Sequence, residues 1–204
     1  MKSIKLMRDL TNIVAKKYPE QSERIINRAS EIFKQLCREN PNQSKKEVKH
    51  TREKIYPAIS FYKAILEVTK NQKEAFDSIA DNFNTYARKV NKKLRVLCKI
   101  PFIYKVVPKI MTNVIHNCYG TSSGFKMINR IDKKEKCHID MTVCPYYSSC
   151  VKYGCKELAT SFCNSDDIAY SNMHPRLYWG RTKTLARGND CCNFILEITR
   201  IIKN

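Results

Sequence analysis

Seven of the ten cysteines lie between Cys137 and Cys192. The same run holds Asp140, Asp166, Asp167, His138 and His174 and ends on a basic segment and the pair Cys191-Cys192. Thiols at this density point to metal ligation, disulfides or thiol chemistry. The spacings are Cys144-x5-Cys150-x4-Cys155-x7-Cys163, without the CxxC pairs that turn two thiolates onto one zinc ion, and without the short ordered spacers of iron–sulfur runs. Zinc or iron held by Cys144, Cys163 and Cys192 is therefore the alternative to a site with no cofactor, and it rests on the number of thiols. A nucleophilic cysteine needs a depressed pKa from a cation, a base or a helix N-terminus. Cys144-Pro145 sits where a strand is expected to end and a helix to begin. Cys163 is expected where that helix stops, beside Asp166 and Asp167. Cys192 opens the last strand opposite basic residues Arg176, Arg181, Lys183 and Arg187. Cys144, Cys163 and Cys192 are the candidate catalytic thiols, with Asp166 as the acid that orients or deprotonates. Cys37, Cys98 and Cys118 read as small buried hydrophobes.

Three further residues are candidates for substrate binding. Arg181 has Gly180 and Thr182 as neighbours, which leave room for its guanidinium to grip a carboxylate through two parallel hydrogen bonds; the competing reading is an ion pair with Asp166, Asp167 or Asp140. His174, before Pro175, is a base or a turn residue. Asp140 shares a strand face with His138, an arrangement that also suits a salt bridge. His50 and His116 read as solvated, and Trp179 as core.

The elements that must position these residues are legible from periodicity. Helical stripes run through Ile4–Val14 and Ile25–Cys37, broken at Pro19 and at Asn40-Pro41. Ser44-Lys45-Lys46-Glu47 is a capping box opening a third helix, which Pro57 should kink or split near Tyr56. Asn71 with Glu74 opens a fourth, ended by Pro101, and an amphipathic segment then runs to Gly120. Beyond Gly124 the period becomes two. Phe125–Ile131 and Cys137–Cys144 predict one hairpin, Tyr147–Phe162 a short helix, and Leu177–Arg187 with Cys191–Ile201 a second hairpin around Gly188-Asn189-Asp190. The expected class is α+β: an N-terminal helical region followed by an antiparallel sheet, two hairpins joined by a helix, covered by helices. Residues 1–70 are read as the helical region and 71–204 as the α+β domain with the cysteine-rich site.

Net charge is +19, but it is unevenly spread: residues 1–110 hold 25 Lys/Arg against 11 Asp/Glu, and the remainder 13 against 8. The excess peaks in Arg88–Lys109, with eight cations and no acid. Such a stripe can grip nucleic acid or an anionic membrane, but few aromatics interleave with it and no usual nucleic-acid motif accompanies it, so the reading preferred from sequence is a solvated helix. No uncharged apolar run approaches about 18 residues, so no membrane span is expected. The charged N-terminus has no signal-peptide core, and the expected compartment is the reducing cytoplasm, where thiols stay reduced. The expected partner is a small-molecule substrate.

The pattern of a strand ending Cys-Pro-Tyr, then KYGCKEL, FCNSDD and HPRLYWGRTKTLARGNDCCNF resembles the L-2-amino-thiazoline-4-carboxylic acid hydrolase family. The family's closing Cys-Asp-Phe signature matches at Cys192, its FC-x-x-D element at Cys163 and Asp166, its strand-end cysteine at Cys144, its arginine at Arg181 and its turn glycine at Gly188. The likeness is strong over residues 124–199 and loose before them. It implies a hydrolase that opens a thiazoline ring to N-carbamoyl-L-cysteine. One departure stands out: the signature aspartate is Asn193. The competing function is a small-molecule or metal-binding sensory module with thiol ligands.

Overall fold

The computed structural model describes residues 4–199. The chain divides into two compact units, one built from the chain up to Phe83 with Pro145–Phe162, the other from Asn84–Cys144 and the chain from Cys163 on.

The first unit is helical. α1 (Lys5–Lys17) buries Leu10 and Val14, and α2 (Ser22–Glu39) buries Ile25, Ala29, Ile32 and Leu36, the single apolar stripe expected of a helix with one face in the core. α3 (Lys45–His50) opens on a complete capping box: the Glu47 N–H donates to Ser44 Oγ at 3.1 Å, and the Ser44 N–H to Glu47 Oε2 at 2.7 Å. A π-helical turn, Thr51–Ile55, then leads into α4 (Tyr56–Thr69). Pro57 lacks the N–H that would continue α3, and the wider turn absorbs the break. α4 is buried nearly all round, with Ile59, Phe61, Tyr62 and Ile65 at most 1% exposed; each such side chain contributes about 1.5–3 kcal/mol of burial. α7 (Pro145–Lys152) belongs to this unit. Tyr153 just beyond it accepts from Asn40 Nδ2 at 2.7 Å, and Tyr146 meets His50 Nδ1 at 3.1 Å. His50 is thus buried rather than solvated.

The second unit holds a four-stranded antiparallel sheet in the order β1-β2-β4-β3, from β1 (Lys126–Lys133), β2 (Lys136–Val143), β3 (Leu177–Gly180) and β4 (Cys192–Ile198). α6 (Val107–Cys118) packs across β1, β2 and β4. The α+β class and the antiparallel sheet agree with the sequence reading. Directly paired residues share a face, so the register sorts the side chains. Met141 pairs with Cys192, Ile139 with Phe194 and Trp179 with Leu196 on one face; Asp140 pairs with Asn193 and His138 with Ile195 on the other.

Beyond His50, the structure corrects three expectations. The segment after Cys144 forms two helices, because α8 (Ala159–Tyr170) follows a short 3-10 turn. Cys163, Asp166 and Asp167 therefore lie within α8, not at a helix end. β3 stops at Gly180 instead of running to Arg187: side chains of Thr184, Asn189 and Asn193 take up backbone N–H groups of this stretch and draw it off the sheet. Cys118 is exposed. Of the expected final strand, residues 200 and 201 lie outside the described residues.

Candidate active site

α8 supplies one wall. Cys163, Asp166, Asp167 and Tyr170 recur at three- and four-residue intervals, so they share one helix face. The C-terminal end of α8 is anchored by Asn91, whose Nδ2 donates to the Ala169 carbonyl at 3.0 Å and the Ser171 carbonyl at 2.7 Å.

β4 and the loop before it supply the other wall. Gly188 takes φ +88°, and its N–H donates to the Leu185 carbonyl at 3.0 Å. Thr184 Oγ1 accepts from the Arg187 N–H at 3.2 Å, and Asn189 Oδ1 accepts from the Thr184 N–H at 3.0 Å. These bonds fix the turn so that the Leu185 N–H donates to Cys192 Sγ at 3.3 Å. The Cys163 and Cys192 thiols act on each other, lowering Cys192 and raising Cys163, and Cys144 is close enough to act electrostatically on Cys163. The three candidate thiols, carried by separate elements, therefore converge.

Arg181 holds the two walls together. Its side chain is 1% exposed, and it donates through Nη2 to Asp167 Oδ2 at 2.7 Å and to the Cys163 carbonyl. Nη1 reaches Asp166 Oδ2 at 3.5 Å, and the guanidinium lies over the Phe194 ring at 5.4 Å. Of the two roles open to Arg181 from sequence, the ion pair is formed through both Nη groups, while Nε is buried with no hydrogen-bond partner among the described residues. Burial opposes its charge, but Asp167 and Asp166 outweigh that and raise its pKa. Trp179 Nε1 donates to Asp167 Oδ1 at 3.1 Å, and its ring sits between Tyr170 at 5.0 Å and Phe194 at 5.9 Å.

The electrostatics single out Cys192. Its thiol is drawn down to about 7, first by the bond from Cys163, then, against burial, by the Leu185 N–H and the Arg181 charge. Cys163, which gives that bond, is pushed up and keeps its proton, burial adding to the effect. Tyr119 and Tyr170 are raised by burial and then by Asp166, Tyr170 to about 12, so both remain phenols beside that carboxylate. Cys192 is nearly covered, whereas Cys144 and Cys163 are partly exposed and the Asp166 side chain is 44% exposed. Solvent thus reaches the cluster past α8.

The other candidates lie apart. Asp140 is on the opposite sheet face from Cys192, where Arg130 Nε donates to its Oδ2 at 2.8 Å and His138 Nε2 lies 3.4 Å from its Oδ1. His174 stacks on Tyr104 at 4.4 Å and takes the Arg176 N–H on Nδ1 at 3.0 Å, which is its turn role; burial and Arg176 lower its pKa. Among the described residues no group of three or more His, Cys, Asp or Glu side chains has metal-binding geometry, Cys144, Cys163 and Cys192 included. A surface depression of about 300 Å³ in the first unit is lined by Arg28, Glu31 and Glu67, which pair with one another.

Sequence reasoning missed the Leu185 N–H, Tyr119 and Tyr170. The turn was signalled by Thr184 three residues before Arg187-Gly188-Asn189; the tyrosines carried no signal. The notable change of role is Asn193. Its Oδ1 accepts from the N–H groups of Thr182 at 3.0 Å and Lys183 at 2.6 Å, and its Nδ2 donates to Thr182 Oγ1 at 2.9 Å. It faces away from Cys192 and holds the start of the loop.

The family model for L-2-amino-thiazoline-4-carboxylic acid hydrolase matches residues 48–196, which take in the sheet and thiol cluster of the second unit together with α4 and α7 of the first. The chain belongs to that family. Neither the curated proteins nor the solved structures gave a significant match.

Proposed function

We propose that the protein hydrolyses a small cyclic amidine of the 2-amino-thiazoline-4-carboxylate type, with Cys192 as nucleophile. The Cys192 thiolate adds to C2, the amidine carbon, and a proton goes to the ring nitrogen. The tetrahedral adduct expels the ring sulfur as a thiol and leaves an isothiourea on Cys192. Water then adds to the same carbon, Cys192 departs as thiolate, and N-carbamoyl-cysteine is released; one water is consumed overall. Cys163 stabilises the thiolate by donating to it, and Asp166, the most exposed acid of the cluster, orients or deprotonates the attacking water. Arg181 serves by holding α8 against the loop and by its charge beside Cys192. Cys144 lines the approach.

The observation that supports this reading best is the Leu185 N–H donated to the Cys192 sulfur at 3.3 Å, with the buried Arg181 guanidinium acting on the same thiol. Asn193 in place of the family aspartate is compatible with it, because the side chain does an acceptor's work on backbone N–H groups that an amide does as well as a carboxylate. The test is turnover of 2-amino-thiazoline-4-carboxylate by the purified chain, followed as N-carbamoyl-cysteine by mass spectrometry. Cys192→Ser is expected to lower kcat by about 10³-fold or more; full turnover in that variant overturns the assignment.

A further inference from the structure

Between Asp81 and Asp132 the chain carries ten Lys/Arg and no acid. The middle of that stretch is also where large apolar side chains stand in solvent. At the end of α5 (Gln72–Cys98) Val96 is 60% exposed and Leu97 48%; the turn adds Ile100 at 51% and Phe102 at 67%. Val106, Ile110 and Val114, spaced by four, make an exposed stripe along α6. Successive i to i+3 bonds, Lys99 to Val96, Ile100 to Leu97, Ile103 to Ile100 and Lys105 to Phe102, wind the segment into a tight tip. Phe102 sits there at φ +66°, a left-handed conformation that is unfavourable for a bulky side chain. Lys105 Nζ lies 4.7 Å from the centre of its ring. Single exposed apolar residues are ordinary; seven within nineteen positions, interleaved with cations, are not.

We propose that this tip, Val96–Val114 with Arg88–Lys93 behind it, docks on the surface of an anionic phospholipid bilayer. The cations match lipid phosphates, and their long stems let the charges stay at headgroup level while Phe102 and the aliphatic side chains enter the acyl boundary. No described helix is long and apolar enough to cross a membrane, so the contact is lateral. Nucleic acid fits the charge but not the valines, leucine and isoleucines, which have nothing to stack on a base and gain nothing from a phosphodiester.

The test uses the full chain and vesicle flotation at physiological salt, with phosphatidylcholine vesicles and with mixed phosphatidylcholine–phosphatidylglycerol vesicles. Binding to the mixed vesicles only is expected. Lys92→Gln with Lys93→Gln should weaken partition about five-fold per lysine. Phe102→Ser should weaken it about ten-fold or more. All three residues are exposed, so the far-UV spectrum and melting temperature should not move; Lys16→Gln with Lys34→Gln, in the first unit, should leave partition unchanged. Absence of vesicle binding overturns the proposal. So does partition indifferent to Phe102→Ser, tighter retention on duplex DNA than on vesicles, or a concentration-dependent dimer that Phe102→Ser dissociates.

Discussion

Two pairs of cysteines in this chain are built alike and placed differently. In the first unit, Cys150 and Cys155 are 0% exposed, the Cys155 N–H donates to the Cys150 carbonyl at 2.8 Å, and the Cys155 thiol is lowered, first by a bond from Cys150 and then, against burial, by Lys63. In the second unit, Cys163 gives the bond and Cys192 receives it. Each pair thus holds one thiol below its ordinary range. What differs is the surroundings. The Cys150–Cys155 pair, on and just after α7, is fully buried. The Cys192 sulfur takes a second donor from a loop built for that purpose, lies near a guanidinium, and has partly exposed neighbours in Cys163 and Asp166. A lowered thiol alone does not make a site; donors, a fixed charge and access do.

Alkylation gives the sharpest separation of the two pairs. At pH 7 a thiol titrating at about 7 is half ionised, against about 1% for one at 9. Intrinsic nucleophilicity falls with pKa and takes back part of that gain, and the cover over Cys192 slows access, so the pH at which labelling rises, rather than the absolute rate, marks the lowered thiol. Its rate should rise through pH 7 and level off above, since the thiolate is the reacting form. Cys155 should react only through opening of its unit, about 100-fold or more slower. Iodoacetamide labelling at a series of pH values, read by peptide mass spectrometry, measures both rates. Equal rates at Cys155 and Cys192 would erase the distinction.

The next effect concerns what holds each wall. Arg181→Met removes the cation that faces Asp166, Asp167 and the Cys163 carbonyl. A fully buried pair broken this way costs about 3–5 kcal/mol. Asp167 and Asp166 are 36% and 44% exposed, so solvent takes up part of the freed charge and about 2–3 kcal/mol is expected. Urea unfolding should register this loss, and the Cys192 alkylation midpoint should move upward as the nearby cation disappears. Unchanged stability would mean that Arg181 does not tie α8 to the loop.

The same contrast explains what the sequence disclosed. Elements with local punctuation were legible: Ser44 with Glu47, Asn71 with Glu74 and Pro101 each mark a boundary that the structure keeps, whereas Gly188 marks a turn but not the strand end expected beside it. The alternation of Cys137, Ile139 and Met141 marked the buried face of β2. Cys144, Cys163 and Cys192 were singled out by where strand and helix ends were expected and by the family motifs; their spacing alone did not require them to meet. What stayed hidden was tertiary. Asn164, Ser165, Asp166 and Asp167 read as a helix end, yet α8 continues through them, because Asn91 caps its far end and Arg181 and Trp179 bind the two aspartates. Arg181–Arg187 alternates like a strand, yet side-chain acceptors lift it off the sheet. The cysteine-rich run looked like one cluster and is shared between two units, since nothing local says that Pro145–Phe162 packs with the N-terminal helices.

The smallest expected effect tests the departure from the family signature. In Asn193→Asp both backbone N–H groups, of Thr182 and Lys183, keep an oxygen acceptor. Only the donation from Nδ2 to Thr182 Oγ1 is lost, and the threonine hydroxyl can turn to donate instead. A stability change below about 1 kcal/mol follows, with turnover altered by no more than several-fold. The side chain sits on the sheet face away from Cys192, so a carboxylate there has no path to the sulfur. A gain of about 10²-fold or more would mean that the family aspartate is a base, the range in which proton-transfer catalysis operates. The loop would then have to release this side chain from the Thr182 and Lys183 N–H groups and turn it toward the substrate during catalysis.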